Sequence, residues 1–174
     1  MPMIVVHGPP GSGKSTIAAL LHERLKCPWF EFGWIPEFRH LNPFTEIPYE
    51  VEERLSFENL LLVAGNYRKH GFKTILLSDL SDQRVMTVSE TFGPDNVVIV
   101  TLQAADQTLR ERIHTRDNGN EFRNGDHAVE LSRAIAARPL LPNEHRFVTD
   151  EISPQALTDE ILKVIQCASP KETI

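Results

Sequence analysis

The chain has 174 residues, 41% hydrophobic and 24% charged, enough apolar side chain for one domain (1–174) with a full core. Its formal net charge of -6 argues against broad binding to nucleic-acid backbone, which needs a basic footprint. Two cysteines without metal-type spacing, Cys27 and Cys167, and an N-terminus lacking a basic region or long apolar run point to free thiols, a reducing cytoplasmic setting and no membrane association.

Met3 to Val6 is a short apolar run that reads as a buried strand. Gly8-Pro9-Pro10-Gly11-Ser12-Gly13-Lys14-Ser15 follows and matches the phosphate-loop pattern G-x-x-x-x-G-K-[ST] at every fixed position. Thr16 to Leu21 continues as a helix, and strand, tight glycine loop and helix N-terminus together form an anion site. In that reading the backbone N–H groups from Gly11 to Ser15 wrap a phosphate, with Thr16 just behind them. Pro9 and Pro10 have no N–H and only shape the loop. Lys14 bridges the β- and γ-phosphates of ATP, and the Ser15 hydroxyl ligates Mg²⁺.

The first helix is expected over 14–26, with Ile17, Leu21 and Leu25 on one stripe and Pro28 ending it. Trp29 to Phe32 reads as a second strand with Glu31 near its C-terminal end. Residues 33–48 hold Gly33 and three prolines and are irregular; six aromatics fall between Trp29 and Phe44 and either pack a small subdomain or line a substrate pocket. Tyr49 to His70 reads as a long helix closed by Gly71. Lys73 to Leu77 is an apolar strand leading to Ser78 and Asp79, and an aspartate there suits Mg²⁺ or its water shell as well as a helix cap or turn.

A helix over Ser81 to Phe92 stops at Gly93-Pro94, and Val97 to Leu102 is a strand covered on both faces. Asp106 is expected to cap the next helix, with Leu109 and Ile113 buried and Arg112 and Arg116 sharing a face. Asp117 to Asp126 is polar, carries Arg123 and has little to anchor it. A helix from about His127 to Ala137 follows, then a break at Arg138-Pro139-Leu140-Leu141-Pro142, a short strand Phe147-Val148, and a last helix opened by Ser153 and Pro154. Strands alternating with helices imply parallel pairing with right-handed crossovers, and Glu31, Asp79 and the stretch after Leu102 share the sheet edge of the phosphate loop.

On these residues the chain resembles the small P-loop kinases: nucleoside monophosphate, shikimate and gluconate kinases. The loop at 8–15 is similar to adenylate-kinase-type loops, and Val98 to Leu102 with Arg110, Arg112 and Arg116 resembles the strand, helix and arginines that open a LID there. The resemblance implies an α/β three-layer P-loop NTPase fold, a five-stranded parallel sheet with helices on both faces. It implies a substrate-binding subdomain at about 33–60 and a LID at about 116–127. Asp-Gly-Phe-Pro-Arg and a triple glycine, known after the third strand of nucleotide and shikimate kinases, are replaced by Ser78-Asp79-Leu80-Ser81-Asp82. Arg138 to Leu141 is similar to a shikimate-kinase stretch at a different spacing.

The expected activity is phosphoryl transfer from ATP, with Mg²⁺, to a small-molecule acceptor, either a nucleoside or nucleotide or a small hydroxylated metabolite. Lys14 and Ser15 supply positive charge, with Arg112, Arg116 or Arg123 adding to it when the LID closes. Glu31 and Asp79 are the candidates to orient the acceptor hydroxyl or take its proton. Trp34, Arg39 and Arg54 are candidate acceptor contacts, the arginines suiting an anionic acceptor. A nucleotide-hydrolysing ATPase or regulatory nucleotide-binding module is the alternative class, and a polynucleotide or toxin-type kinase the third. The chain lacks the guanine-reading Asn-Lys-x-Asp and the transporter signature Leu-Ser-Gly-Gly-Gln, and is short for an AAA+ helical lid. Monomer and dimer both remain open.

Overall fold

The computed structural model describes residues 2–34, 48–117 and 122–168. Strand β1 (Met3–His7) is buried along its whole length because strands flank it on both sides. It pairs in parallel with β3 (Ile75–Ser78) and with β4 (Val97–Gln103). β2 (Trp29–Glu31) lies outside β3 and β5 (Glu144–Val148) outside β4, giving the all-parallel order β2-β3-β1-β4-β5.

Successive strand side chains point to opposite faces, so β1 feeds two cores. Ile4 and Val6 pack with Ile17 and Leu21 of α1 (Lys14–Leu25) and with Leu157 and Ile161 of α6 (Pro154–Ala168). Met3 and Val5 pack with Phe57 and Leu60 of α2 (Tyr49–Lys69) and with Val85 and Val88 of α3 (Asp82–Phe92). This is the three-layer α/β architecture read from the sequence. Helices α4 (Asp106–Thr115) and α5 (Gly125–Ala137) form a hairpin at the loop edge of the sheet, where a Cβ on Gly125 would stand 3.1 Å from Arg110 Cγ.

Several boundaries differ from expectation for local reasons. Helix α1 stops at Leu25 because Lys26 turns left-handed (φ 51°) and its N–H bonds to His22 O, two residues ahead of the proline. Asp106 does not cap α4. The Asp150 carboxylate accepts the Ala105 N–H instead (3.0 and 3.1 Å), and Asp106 pairs with Arg133. Helix α5 begins at Gly125, because Asn124 caps it by accepting from the His127 N–H. Ser153 does cap the last helix, accepting from the Ala156 N–H. Strand β5 extends back to Glu144 through three polar residues that periodicity does not mark as strand.

Those polar residues are stable there because Glu144 is paired. Its carboxylate is fully buried and receives Arg138 Nη1 (2.6 Å), the Leu141 N–H (2.8 Å) and the Thr101 hydroxyl (2.7 Å). The same guanidinium donates from Nε to both oxygens of Asp82 at the start of α3 (2.8 and 2.7 Å). Burial alone would push the Glu144 carboxyl up, but Arg138, the Leu141 amide and the Thr101 hydroxyl overcome it and hold the pKa at about 2. A carboxyl held below its ordinary 4.5 stabilises the fold fully above that pH and loses the contribution as pH falls toward 2. We expect Glu144→Gln to cost about 3 kcal/mol at pH 7 in urea denaturation and to flatten the acid limb of stability between those two values.

Candidate functional site

The loop between β1 and α1 is built by close approach. Gly8 has φ 142°, and a Cβ there would stand 2.5 Å from Leu102 O of β4. Gly11 has φ 82° and lies against Leu109 and Ile113 of α4. The Pro9 carbonyl accepts the Ser12 N–H (3.2 Å) and Lys14 Nζ (3.1 Å), which curls the loop over the helix start. Pro10 stands on the cleft side of that curl.

This curl leaves an anion cradle. Helix α1 has no side-chain cap at Gly13, and Ile17 is the first residue whose N–H reaches back to Gly13 O. The amides of Lys14, Ser15 and Thr16 therefore lie at the positive end of the helix. The Ser12 hydroxyl is buried without a hydrogen-bond partner. Burial pushes the Lys14 ammonium down from its ordinary pKa, while the charges of Asp79 and Glu31 oppose the shift. A desolvated ammonium, an orphaned hydroxyl and an uncapped helix N-terminus fit a polyphosphate.

Glu31 and Asp79 line a cleft of about 450 Å³ together with the cradle residues Gly13, Lys14, Ser15 and Thr16. Glu31 is half-buried at the end of β2. Ser15 Oγ donates to its Oε1 (3.4 Å) and Ser78 Oγ to its Oε2 (3.3 Å). Trp29 Nε1 donates to Ser78 Oγ at 2.9 Å, and an indole N–H can only donate, so the serine proton must point at Glu31. Burial first, and Asp79 second, push the Glu31 carboxyl up from its ordinary pKa. Asp79 is in the left-handed region (φ 62°), a conformation aspartate tolerates, and this turns its carboxylate beside Gly33. Among the described residues no three His, Cys, Asp or Glu gather as a metal site, so a Mg²⁺ held by Ser15 and Asp79 would take its remaining ligands from phosphate and water.

A second cavity of about 270 Å³ shares Gly13, Thr16 and Arg112 with the first. Arg112 donates to Gly11 O (3.4 Å), to Thr149 Oγ1 and to Thr149 O (both 2.8 Å). Thr149, Asp150, Ile152 and Leu157 line the far side. Sequence reasoning missed this wall, although Phe147-Val148 followed by Thr149-Asp150 and a helix start places it at the same sheet edge. Ser78 and Phe122 were also missed.

The remaining candidates separate. Arg116 lines the first cleft, donates to Phe122 O and lies over the Phe122 ring at 5.6 Å. Arg123 is exposed, donates to Phe122 O and is not among the cleft-lining residues. Trp34, 58% exposed, packs on Trp29 at 4.5 Å between ring centroids. Arg54 is exposed and stands 3.9 Å from Glu58 one turn along α2. Arg39, Phe38, Phe44 and residues 118–121 of the proposed LID lie outside the described residues.

His7 directly precedes the loop and is 2% exposed. Its Nδ1 stands 3.1 Å from Leu80 O, and its Nε2 is 3.2 Å from Asp82 Oδ1 without a well-directed hydrogen bond. Either neutral tautomer leaves one ring nitrogen facing an acceptor, and burial opposes the imidazolium that would satisfy both.

Residues 4–131 match the family model described as an AAA domain. No curated protein matches the chain. A sugar kinase from Janibacter sp. HTCC2649 is similar in structure with TM-score 0.67 at 20% identity over 95% of both chains. A gluconokinase from Sinorhizobium meliloti 1021 gives 0.64 at 16% identity, over 96% of this chain and 93% of that one. A shikimate kinase from Acinetobacter baumannii in complex with shikimate gives 0.58 at 19%, over 98% of this chain and 96% of that one. The shared feature is the small P-loop kinase fold. Among the described residues no helix is long and apolar enough to cross a membrane.

The two loop glycines should respond differently to alanine. Gly8→Ala meets backbone at 2.5 Å and should cost more than about 2 kcal/mol, whereas Gly13→Ala meets nothing within 4 Å and should cost about 1 kcal/mol for its positive φ. Thermal denaturation of both variants measures the difference.

Proposed function

The chain belongs to the AAA-domain family, and from that premise we propose that it is a Mg²⁺- and ATP-dependent kinase acting on the hydroxyl of a small molecule. The observation that carries the reading is one cleft lined by both an anion cradle and the Glu31 carboxylate, which accepts from Ser15 at its edge. The kinase names of the structural neighbours support it.

Lys14 and the amides at the start of α1 would hold the β- and γ-phosphates, and Arg112 would flank the nucleoside beside Thr149. Bound Mg²⁺ would neutralise phosphate charge next to Ser15 and Asp79. Glu31 would accept the acceptor's hydroxyl proton as the new O–P bond forms and ADP leaves, then release it to water. Its elevated pKa makes it a stronger base than an exposed glutamate. Arg116, moving off the Phe122 carbonyl, would place its charge on the transferring group and help exclude water. Cys27 and Cys167 are free thiols, which suits the cytoplasm.

Lys14→Ala should lower ATP-dependent phosphoryl transfer at least about 100-fold with an unchanged circular dichroism spectrum. Substantial remaining turnover would remove Lys14 from the chemistry. Arg116→Ala should lower kcat by about 10-fold or more while changing ATP affinity little, as single-turnover kinetics and calorimetric titration would show.

A further inference from the structure

We propose that Trp29 and Ser78 are positioning residues that, acting through Glu31, set the Ser15 hydroxyl to offer its lone pairs to a divalent cation. The inference rests on the kinase reading and assigns two further residues to its metal-binding step. It starts from the sheet. Side chains two residues apart on a strand share a face, and so do register partners on neighbouring strands. Trp29 and Glu31 are two apart on β2, and Glu31 is the register partner of Ser78 on β3. All three therefore lie on one face. Leu76, two residues before Ser78, packs there with Ile17 and Leu21, so this is the face that α1 covers. Ser15 stands in the first turn of that helix.

The four side chains form one hydrogen-bonded chain with a fixed direction. Trp29 Nε1 donates to Ser78 Oγ (2.9 Å), Ser78 Oγ donates to Glu31 Oε2 (3.3 Å), and Ser15 Oγ donates to Glu31 Oε1 (3.4 Å). An indole N–H can only donate and an ionised carboxylate can only accept, so the direction cannot reverse. Ser78 is fully buried, and Trp29 is braced by Trp34, with ring centroids 4.5 Å apart. Glu31 is thus held by both oxygens, one from β3 and one from α1. A hydroxyl has one proton, and that of Ser15 is committed to Glu31, so Ser15 turns only lone pairs elsewhere. Lone pairs suit Mg²⁺ and repel a phosphate oxygen. The donors a phosphate needs come instead from Lys14 and the amides at the start of α1. Outer partners that orient a metal ligand typically change metal affinity by about 10- to 100-fold when removed.

The test needs binding alone and no acceptor. A non-hydrolysable ATP analogue is titrated by calorimetry into the protein in Mg²⁺ and again in EDTA, and the quantity read is the gain in affinity that Mg²⁺ gives. Ser78→Ala should lower that gain at least about fivefold in the otherwise native chain. It should lower it no further in a Glu31→Gln background, because the relay acts only through Glu31. Trp29→Phe keeps an aromatic ring against Trp34 and removes only the N–H, so it should lower the gain by a smaller factor. This variant carries the test if Ser78→Ala does not fold. Trp29 and Trp34 are the chain's only tryptophans, so the near-ultraviolet dichroism of Ser78→Ala reports whether their packing survives. A gain that both variants leave intact, or that Ser78→Ala lowers equally in the native and Glu31→Gln backgrounds, overturns the proposal while the kinase reading stands. If the analogue binds in neither medium, the kinase reading fails and this proposal fails with it.

Discussion

The Arg138 guanidinium ties together parts of the chain that share no strand pairing. It joins the end of α5 to the first residue of β5 through Glu144 and to the first residue of α3 through Asp82. Asp82 in turn faces His7, the last residue before the phosphate loop. A carboxylate with no exposure is tolerable only if its lone pairs are filled, and Glu144 fills them from Arg138, Leu141 and Thr101. The polar β5 can therefore close the sheet edge, and the loop rests on a polar girder and not on apolar packing alone.

The same physics operates with the opposite sign in the cleft. Glu144 is surrounded by donors and stays charged far into acid. Glu31 has two weak hydroxyl donors, partial burial and a neighbouring Asp79, so its proton is held more tightly. One glutamate is built to stabilise the fold and the other to exchange a proton. The difference lies in the partners the fold brings to each, since the residue type is the same.

Much of this was legible in the sequence where a local rule suffices. The glycine loop, the α1 stripe of Ile17 and Leu21, the apolar β1 and β4, and the Ser153 cap all follow from spacing. Glu31 and Asp79 were legible because a carboxylate at a strand's C-terminal end faces the loop edge of a parallel sheet. What escaped depends on distant partners. Asp150, not Asp106, serves the start of α4 because a loop 45 residues away delivers it there. Ser78 reads as a turn residue until Trp29 is seen to orient it. The first residues of β5 read as loop until Arg138 is placed over Glu144.

The strand order also constrains how the chain reaches this state. β1 sits at the centre, yet residue 3 pairs with residues 75 and 97 and with nothing nearby in sequence. The residues of β1 therefore have no strand partner until residues 75–78 have been made, and lack their second until residues 97–101 follow. Such long-range closure slows folding and leaves a sticky segment waiting. During synthesis the phosphate loop is made some ninety residues before it can acquire its shape, because Gly8 takes its position only once Leu102 of β4 is beside it.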